Sequence, residues 1–593
     1  MMDNKSKPLT QEQHHGILLS FCLSSVLLIA SCALAWNTLT IQLVLRLSFA
    51  LLTLFGFFAS LTALTRSVGA AAIVLVGVLV FAPQIPFAGW FFGGLSLPGL
   101  WLMARGAIEE IRSMSLSKAI PIITVIVLGT AFYSDFQSGP QLAAGKYALD
   151  TFFHASITTM YRDHGVISVG LDGLVPLHYH ALSHKIFAGV SAISGLAALD
   201  IYYCLYSLIL PSLLIVSLAT LTGRIAPASN LATSATAISL ALLIIRKLSF
   251  CRHAALGDGC FVSESFCLSL ILLTAAVIAW LDYFESRKIQ PLVISCVLMV
   301  LTGLTKGSVG VIGFGIYGLG GLIKAKWSLR YWLAIGVAGF AMLLLVVKSA
   351  SSTGAAQMQF LPLDFVVNYV KGPEYFPLKV IFYLVFHYLP VWVALVLGFY
   401  RDGHKYLLSC ESLILLGLLL PGMAIGMSFA VQAGAGSYFS TIASIIALAF
   451  IAQHLGPYLA TGSWKTALML FVIAGLFSKS RMIEKSFLPE SQGKMQTNSE
   501  LADIVSQLRL WREELPKDCC VQISNLDRLS KIVGWHAGWL VTAVVERPMR
   551  GGVPAPDTVP DSKHLAYGLA DYNNSVSQEA AGRRQLVHLS FAE

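Results

Sequence analysis

Along most of the chain, apolar residues run for about twenty positions at a time and are then broken by short polar turns. A bilayer core takes about 20 helical residues to cross, so each such run reads as a membrane span. Spans are expected near 16–36, 41–64, 68–83, 87–104 and 119–133. After a gap they resume at 201–222, 226–246, 266–284, 290–305, 308–323, 331–348, 378–399, 407–431, 437–455 and 464–478. The pattern predicts an all-α polytopic membrane protein with about 13–15 transmembrane helices. Within the first run, Ile29-Ala-Ser-Cys32 and Ala33-Leu-Ala35 look like processing sites, but Gly16 to Trp36 has the length of a full span and is read as an uncleaved helix.

The turns sort by charge. Short loops rich in Lys and Arg stay in the cytoplasm, which places Arg66 and "RGAIEEIRSMSLSK" at 105–118 inside. With that start, "ESRK" at 285–288, "KAKWSLR" at 324–330 and "YRDGHK" at 400–405 also fall inside. The same parity sends residues 134–200 outside as the longest loop between spans. Ile186–Leu199 within it is apolar but short, which suits a juxtamembrane helix lying on or dipping into the bilayer. The tail from Lys479 also falls outside, and its alternation in "DCCVQISNLD" predicts a small α/β domain. Three regions result: N-terminal transmembrane helices over 1–118, a transmembrane core over 119–480 with the external loop 134–200, and an external C-terminal domain over 481–593.

Composition agrees. The 593 residues are 56% hydrophobic and 12% charged, with mean hydropathy +0.72, whereas soluble chains carry about 25% charged residues. Cytoplasmic Lys and Arg account for the net charge of +9, and no basic patch interleaves with aromatics, so the bilayer is the expected partner and nucleic acid is not. The chain is expected in a bacterial inner membrane with its tail in the periplasm. The 10 cysteines lie mostly in apolar spans; Cys519-Cys520 is a vicinal pair and no CxxC occurs, which argues against a cysteine zinc site. No GxxxxGK[ST] loop is present, which argues against ATP-driven pumping.

Titratable groups gather in the external loop. On a helix, Asp150 and His154 stand one turn apart on one face, with Thr158 and Tyr161 near it, while Phe152, Phe153 and Ile157 suit a membrane-lying flank. A carboxylate and an imidazole so placed can act as a base and its orienter, or as two ligands of a divalent ion. Asp135 supplies a second acid just beyond a span, and "LHYH" brings Tyr179 and His180 one turn before His184. Each histidine taken singly also suits an ordinary interfacial position. Cations fall outside against the usual bias: Arg246, Lys247, Arg252 and, in "GLTKGSVG", Lys306. They suit a phosphate delivered from the membrane, although snorkelling side chains would give the same letters. Glu264 is either part of this set or the ion-pair partner of Lys306; Tyr438 in "QAGAGSYFS" is placed to stack on a sugar or prenyl group.

The layout resembles the GT-C superfamily of integral membrane glycosyltransferases: many spans, a long outside loop with an acid after a helix exit, juxtamembrane helices and an outside C-terminal domain. Asp150-x3-His154 followed by Gly165, Ser168, Gly173 and Tyr179-His180 is similar to a loop pattern in bacterial members, over about 119–480. Two features depart from the superfamily: Asp135 stands alone where paired acids are usual, and no WWD-type motif occurs. The resemblance implies transfer of a hexosyl or pentosyl group from a polyprenyl-phosphate donor to a hydroxyl of a cell-envelope glycan or lipid on the periplasmic side. It further implies Asp150 or Asp135 as general base and Lys306 with Arg246 or Arg252 on the departing phosphate. His154 or His180 would orient the acid or bind donor. The resemblance assigns no cofactor, and a divalent metal is compatible with it.

Rival readings are an O-antigen polymerase or ligase acting on polyprenyl-linked glycans, a transporter or flippase in which Arg46 and other in-span charges line a path, and a non-catalytic scaffold. An enzyme concentrates polar groups in outside loops, whereas a transporter holds them at mid-membrane. This chain does the former.

Overall fold

A backbone in hydrocarbon has to satisfy its own hydrogen bonds, and the apolar runs do so as helices. The computed structural model describes residues 41–112, 149–177, 181–202, 207–226, 234–239, 241–242, 263–326, 328–350, 359–369, 374–430, 436–461, 499–554 and 586–591. The expected spans 16–36, 119–133 and 464–478 lie outside the described residues. The N-terminal helices are α1 (Ile41–Thr65), α2 (Val68–Phe81) and α3 (Ala88–Arg112). The loop helices are α4 (Leu149–His164) and α5 (Leu182–Ser194). The core continues with α6 (Ser207–Ile225), α7 (Glu264–Ser286), α8 (Ile289–Thr305), α9 (Gly307–Gly320) and α10 (Leu329–Ala350). It closes with α11 (Phe376–Phe382), α12 (Leu389–Asp402), α13 (Cys410–Ser428) and α14 (Gly436–Thr461).

Among the described residues, five helical stretches are long and apolar enough to cross a bilayer: Leu45–Thr65, Glu264–Ser286, Gly307–Ala325, Cys410–Ser428 and Tyr438–Gly456. A sixth arises if Phe376–His387 and Leu389–Leu408, bent by 57° at their junction, form one span. The protein is an all-α polytopic membrane protein. Small residues let its helices close up. A Cβ on Gly99 of α3 would stand 1.7 Å from the Gly56 carbonyl of α1, so the two backbones touch where only glycine fits.

The bundle has two chemically different ends. At one, Arg224 pairs with Asp282 (2.7 Å) and Glu285, and Arg401 pairs with Asp402 (2.6 Å) and Glu411 (3.0 Å). Lys324 and Arg287 lie within electrostatic reach of Cys410 at this same end. The other end holds the turn between α2 and α3, the start of α7, the turn between α8 and α9, and the start of α14, with α4 and α5 seated there.

The loop helices correct one expectation. Phe152, Phe153 and Ile157 do not form a membrane-lying flank: all three are fully buried in protein. α5 packs into protein along most of its length. Ten of its residues are buried, and a Cβ on Gly189 would stand 2.1 Å from the Leu79 carbonyl of α2. The apolar surface that suggested lipid contact is covered by α2, the turn after it and the tail, which exclude water equally well.

The tail contains α15 (Ser499–Glu514), β1 (Cys520–Ile523), α16 (Leu526–Val533), α17 (Ala537–Val545) and β2 (Leu586–Leu589). β1 and β2 pair in parallel, Cys520 opposite Leu586 through Ile523 opposite Leu589. All nine residues of α17 are buried, and they pack on α4. Loop and tail are therefore in direct contact through α4 and α17.

Candidate functional site

Three side chains from three helices meet at the loop end. His154 lies just over one turn into α4, His184 in the first turn of α5, and Glu264 opens α7, where Ser263 caps the helix by accepting from the Phe266 amide. His154 Nδ1 and His184 Nε2 are 3.0 Å apart; Glu264 Oε1 lies 3.5 Å from the first and 4.0 Å from the second. His184 is fully buried and Glu264 is 2% exposed, while His154 keeps 18% of its side chain open. Behind them the Tyr202 ring stacks on His154 at 6.1 Å, its hydroxyl meeting Thr158 at 3.1 Å, and Ser183 Oγ lies 3.3 Å from His184 Nδ1.

Glu264 Oε1 is fully buried yet makes no hydrogen bond. A buried carboxylate oxygen whose nearest polar neighbours are two imidazoles at 3.5 and 4.0 Å is under-satisfied, and an ion among the three groups would satisfy it. The distances say what fits. A point equidistant from three atoms separated by 3.0, 3.5 and 4.0 Å lies about 2.1 Å from each, within the range of zinc bonds to nitrogen and oxygen, about 2.0–2.2 Å. Two imidazoles and one carboxylate could supply three ligands to a divalent ion. Without an ion, the same trio is a carboxylate beside two imidazoles that share a hydrogen bond, an arrangement able to accept a proton.

Lys306 stands beside this trio at the turn joining α8 to α9, outside both helices, with an extended backbone at φ −150°. Its Nζ lies 4.5 Å above the Tyr438 ring, and Tyr438 packs against Phe266 at 4.8 Å, two residues from Glu264. Burial lowers the lysine to about 8, against the opposing pull of Glu264. The ion pair between Glu264 and Lys306 is not formed; Glu264 approaches the histidines and reaches the lysine through the field alone.

Of the residues singled out in the sequence, His154, Glu264, Lys306 and Tyr438 come together at this end. Asp150 lies on α4 one turn before His154. Asp135, Tyr179, His180, Arg246 and Arg252, and the side chain of Asp150, lie outside the described residues. His184 and Tyr202 carry no role in the sequence reading; the spacing of the histidines hints at the first, and nothing local marks the second. Arg46 donates from Nη1 to the Gly195 carbonyl at 2.9 Å, closing the C-terminus of α5.

No protein-family model matches the chain, and no curated protein matches it. Among solved structures, the Archaeoglobus fulgidus oligosaccharyltransferase, tethered by a disulfide bond to an acceptor peptide containing the NVT sequon, aligns over 76% of this chain and 68% of its own. The identity is 12% and the TM-score 0.37, a likeness too distant to bear on the chemistry.

Proposed function

We propose that the protein is a membrane glycosyltransferase that moves a sugar from a polyprenyl-phosphate donor to a hydroxyl of an envelope glycan or lipid on the non-cytoplasmic face. The observation that carries this reading is the meeting of His154, His184 and Glu264 with Lys306 and Tyr438 at one end of the bundle. The Arg- and Lys-bearing turns crowd the opposite end, which by the charge rule is the cytoplasmic one. On this assignment 134–200 and 481–593 are periplasmic, and 119–480 forms the catalytic core of a bacterial inner-membrane enzyme.

The chemistry asks for three things. The acceptor hydroxyl must lose its proton as its oxygen bonds to the anomeric carbon, and the carboxylate of Asp150 or Asp135, or the Glu264 trio, supplies the base. The bond from that carbon to the phosphate oxygen breaks, and polyprenyl phosphate departs with the electron pair. Lys306 is a cation aimed from the turn between two spans, where a lipid-borne phosphate arrives, and it stabilises the negative charge that develops. A divalent ion held by His154, His184 and Glu264 would act there as a Lewis acid on the phosphate. Tyr438, whose ring already covers the lysine, is placed to orient donor. Arg46 counts against a transporter, because the in-span charge that would have lined a path is engaged in closing α5.

The test is a glycan comparison between a deletion strain and wild type, followed by complementation with Glu264→Gln and Lys306→Met. Both variants should insert normally and fail to restore the missing sugar. Full restoration by both would overturn the proposal.

A further inference from the structure

Arg162 is a residue the proposed chemistry does not use, and its contacts are unusual. It lies eight residues beyond His154 on α4, about 12 Å along the helix. One guanidinium nitrogen, Nη1, donates to Ser191 Oγ at 2.9 Å, and Ser191 lies seven residues beyond His184 on α5. The same guanidinium grips Glu546 with two bonds, Nη1 to Oε1 at 3.2 Å and Nη2 to Oε2 at 2.9 Å. Glu546 in turn accepts from the Ala198 amide at 3.3 Å, in the segment that leads into Tyr202. One carboxylate from the tail thus ties together the helix of His154, the helix of His184 and the approach to the ring stacked on His154.

A second set of contacts lies nearer the histidines. Ser156, two residues after His154, donates to the Trp539 carbonyl at 3.0 Å and accepts from Thr542 Oγ1 at 2.9 Å. Phe153 meets the Trp539 ring edge-on at 5.0 Å. The loop after α4 is held through its backbone, with the Met549 amide donating to Gly170 and the Gly173 amide donating to Met549, both at 2.7 Å. Glu546 itself sits in the left-handed region, φ 60°, as the C-cap of α17, a conformation a non-glycine residue adopts at a cost of about 1–2 kcal/mol when its side chain does not repay it. Its bidentate grip on Arg162 supplies that return.

We propose that the C-terminal unit is a built-in clamp whose Glu546 and Thr542 are positioning residues for His154 and His184, so that the candidate site is incomplete without the tail. The two helices that bear the histidines pack on each other and α4 packs on α17, while Glu546 reaches α5 through Arg162 and Ser191 and holds the Ala198 amide just beyond it, fixing the relative slide two turns away from the pair. A slip of 1 Å there moves His184 Nε2 relative to Glu264 by a comparable amount, enough to open a trio whose members are 3.0–4.0 Å apart. The role of the trio as the site rests on the reading above; the coupling of tail to histidines does not.

The test uses the full chain in detergent, with Glu546→Gln, Thr542→Val and Thr542→Ser, each assayed at the same interval below its own unfolding temperature. Two quantities are read: the rate at which diethyl pyrocarbonate modifies His184 in metal-free protein, by mass spectrometry, and Co(II) affinity by absorption titration. Glu546→Gln and Thr542→Val should modify His184 at least fivefold faster and bind Co(II) about tenfold more weakly, the scale of support lost around a metal ligand. Thr542→Ser, which keeps the hydroxyl, should match wild type, as should Arg528→Ala on the exposed face of the tail. Unchanged protection of His184 in both damaging variants overturns the clamp. Failure of wild type to bind Co(II) would sink the metal reading alone, leaving His184 protection to decide the clamp.

Discussion

Replacing Glu264 by glutamine separates a site residue from a structural one by the sign of its effect. The Glu264 carboxylate is 2% exposed, and its Oε1 accepts no hydrogen bond although His154 Nδ1 stands 3.5 Å away. An unsatisfied buried acceptor costs about 1–3 kcal/mol, more when charged. Glutamine keeps the volume and removes the charge, so metal-free Glu264→Gln should be more stable than metal-free wild type by about 1 kcal/mol or more. Zinc should reverse the order. An ion that binds only the folded state at 100 times its dissociation constant adds about 2.7 kcal/mol, and a variant lacking one of three ligands should lose most of that gain. Tryptophan fluorescence of detergent-solubilised protein on heating, in chelator and in zinc, reads all four values. The reasoning fails if wild type gains nothing from zinc, cobalt or manganese, or if the variant is the less stable protein in chelator, which would make Glu264 a pairing partner of the histidines and no more.

The remaining expectations concern the lysine, the loop helices and the in-span arginine. Lys306 is held at about 8 by burial, so its positive charge disappears as pH rises through that value; sugar transfer should fall over the same range. Lys306→Arg should extend activity to higher pH, and Lys306→Met should lower turnover about 100- to 1000-fold; a flat profile between about pH 7 and 9.5 would count against the lysine. Gly189→Val should destabilise by about 3 kcal/mol or more, read as a lower unfolding temperature, because its Cβ meets the Leu79 carbonyl at 2.1 Å and backbone cannot yield as a side chain does. Arg46→Met removes the cap on Gly195 and should cost about 0.5–1.5 kcal/mol of stability without changing passage of any solute through reconstituted vesicles; altered flux would revive the transport reading.

What the sequence made legible follows from range. Span positions are local, set by run length and closed by charged turns, and α1, α7, α13 and α14 lie where the apolar runs predict. The extension of α3 from the expected limit at 104 to Arg112 is local too, since "AIEEIR" consists of residues that favour helix. Burial of α4 and α5 was not legible, because an apolar face meeting lipid and one meeting protein have the same composition. His154 stood out through its spacing from Asp150. Its partners did not, because His184 is thirty residues away and Glu264 a further eighty, and only the packing of α4, α5 and α7 brings them together.

The tail shows the same limit from the other side. "AGWLVTAVV" reads as an ordinary apolar segment of a small domain, and an independent domain would bury it against its own sheet. That sheet has two four-residue strands among the described residues, too little surface to cover a helix buried on every side. The helix is instead completed by α4, whose Ser156 and Phe153 are positions with no apparent need of a partner when the loop is considered alone. Each segment carries an apolar face or buried polar group that the other satisfies, so neither should be stable by itself. A chain ending before residue 499 should therefore lose protection of α4 and α5 as well as the tail, and a soluble fragment of 499–593 should expose Trp539 to quencher. Trp539 protected in that fragment would show that the tail covers α17 unaided.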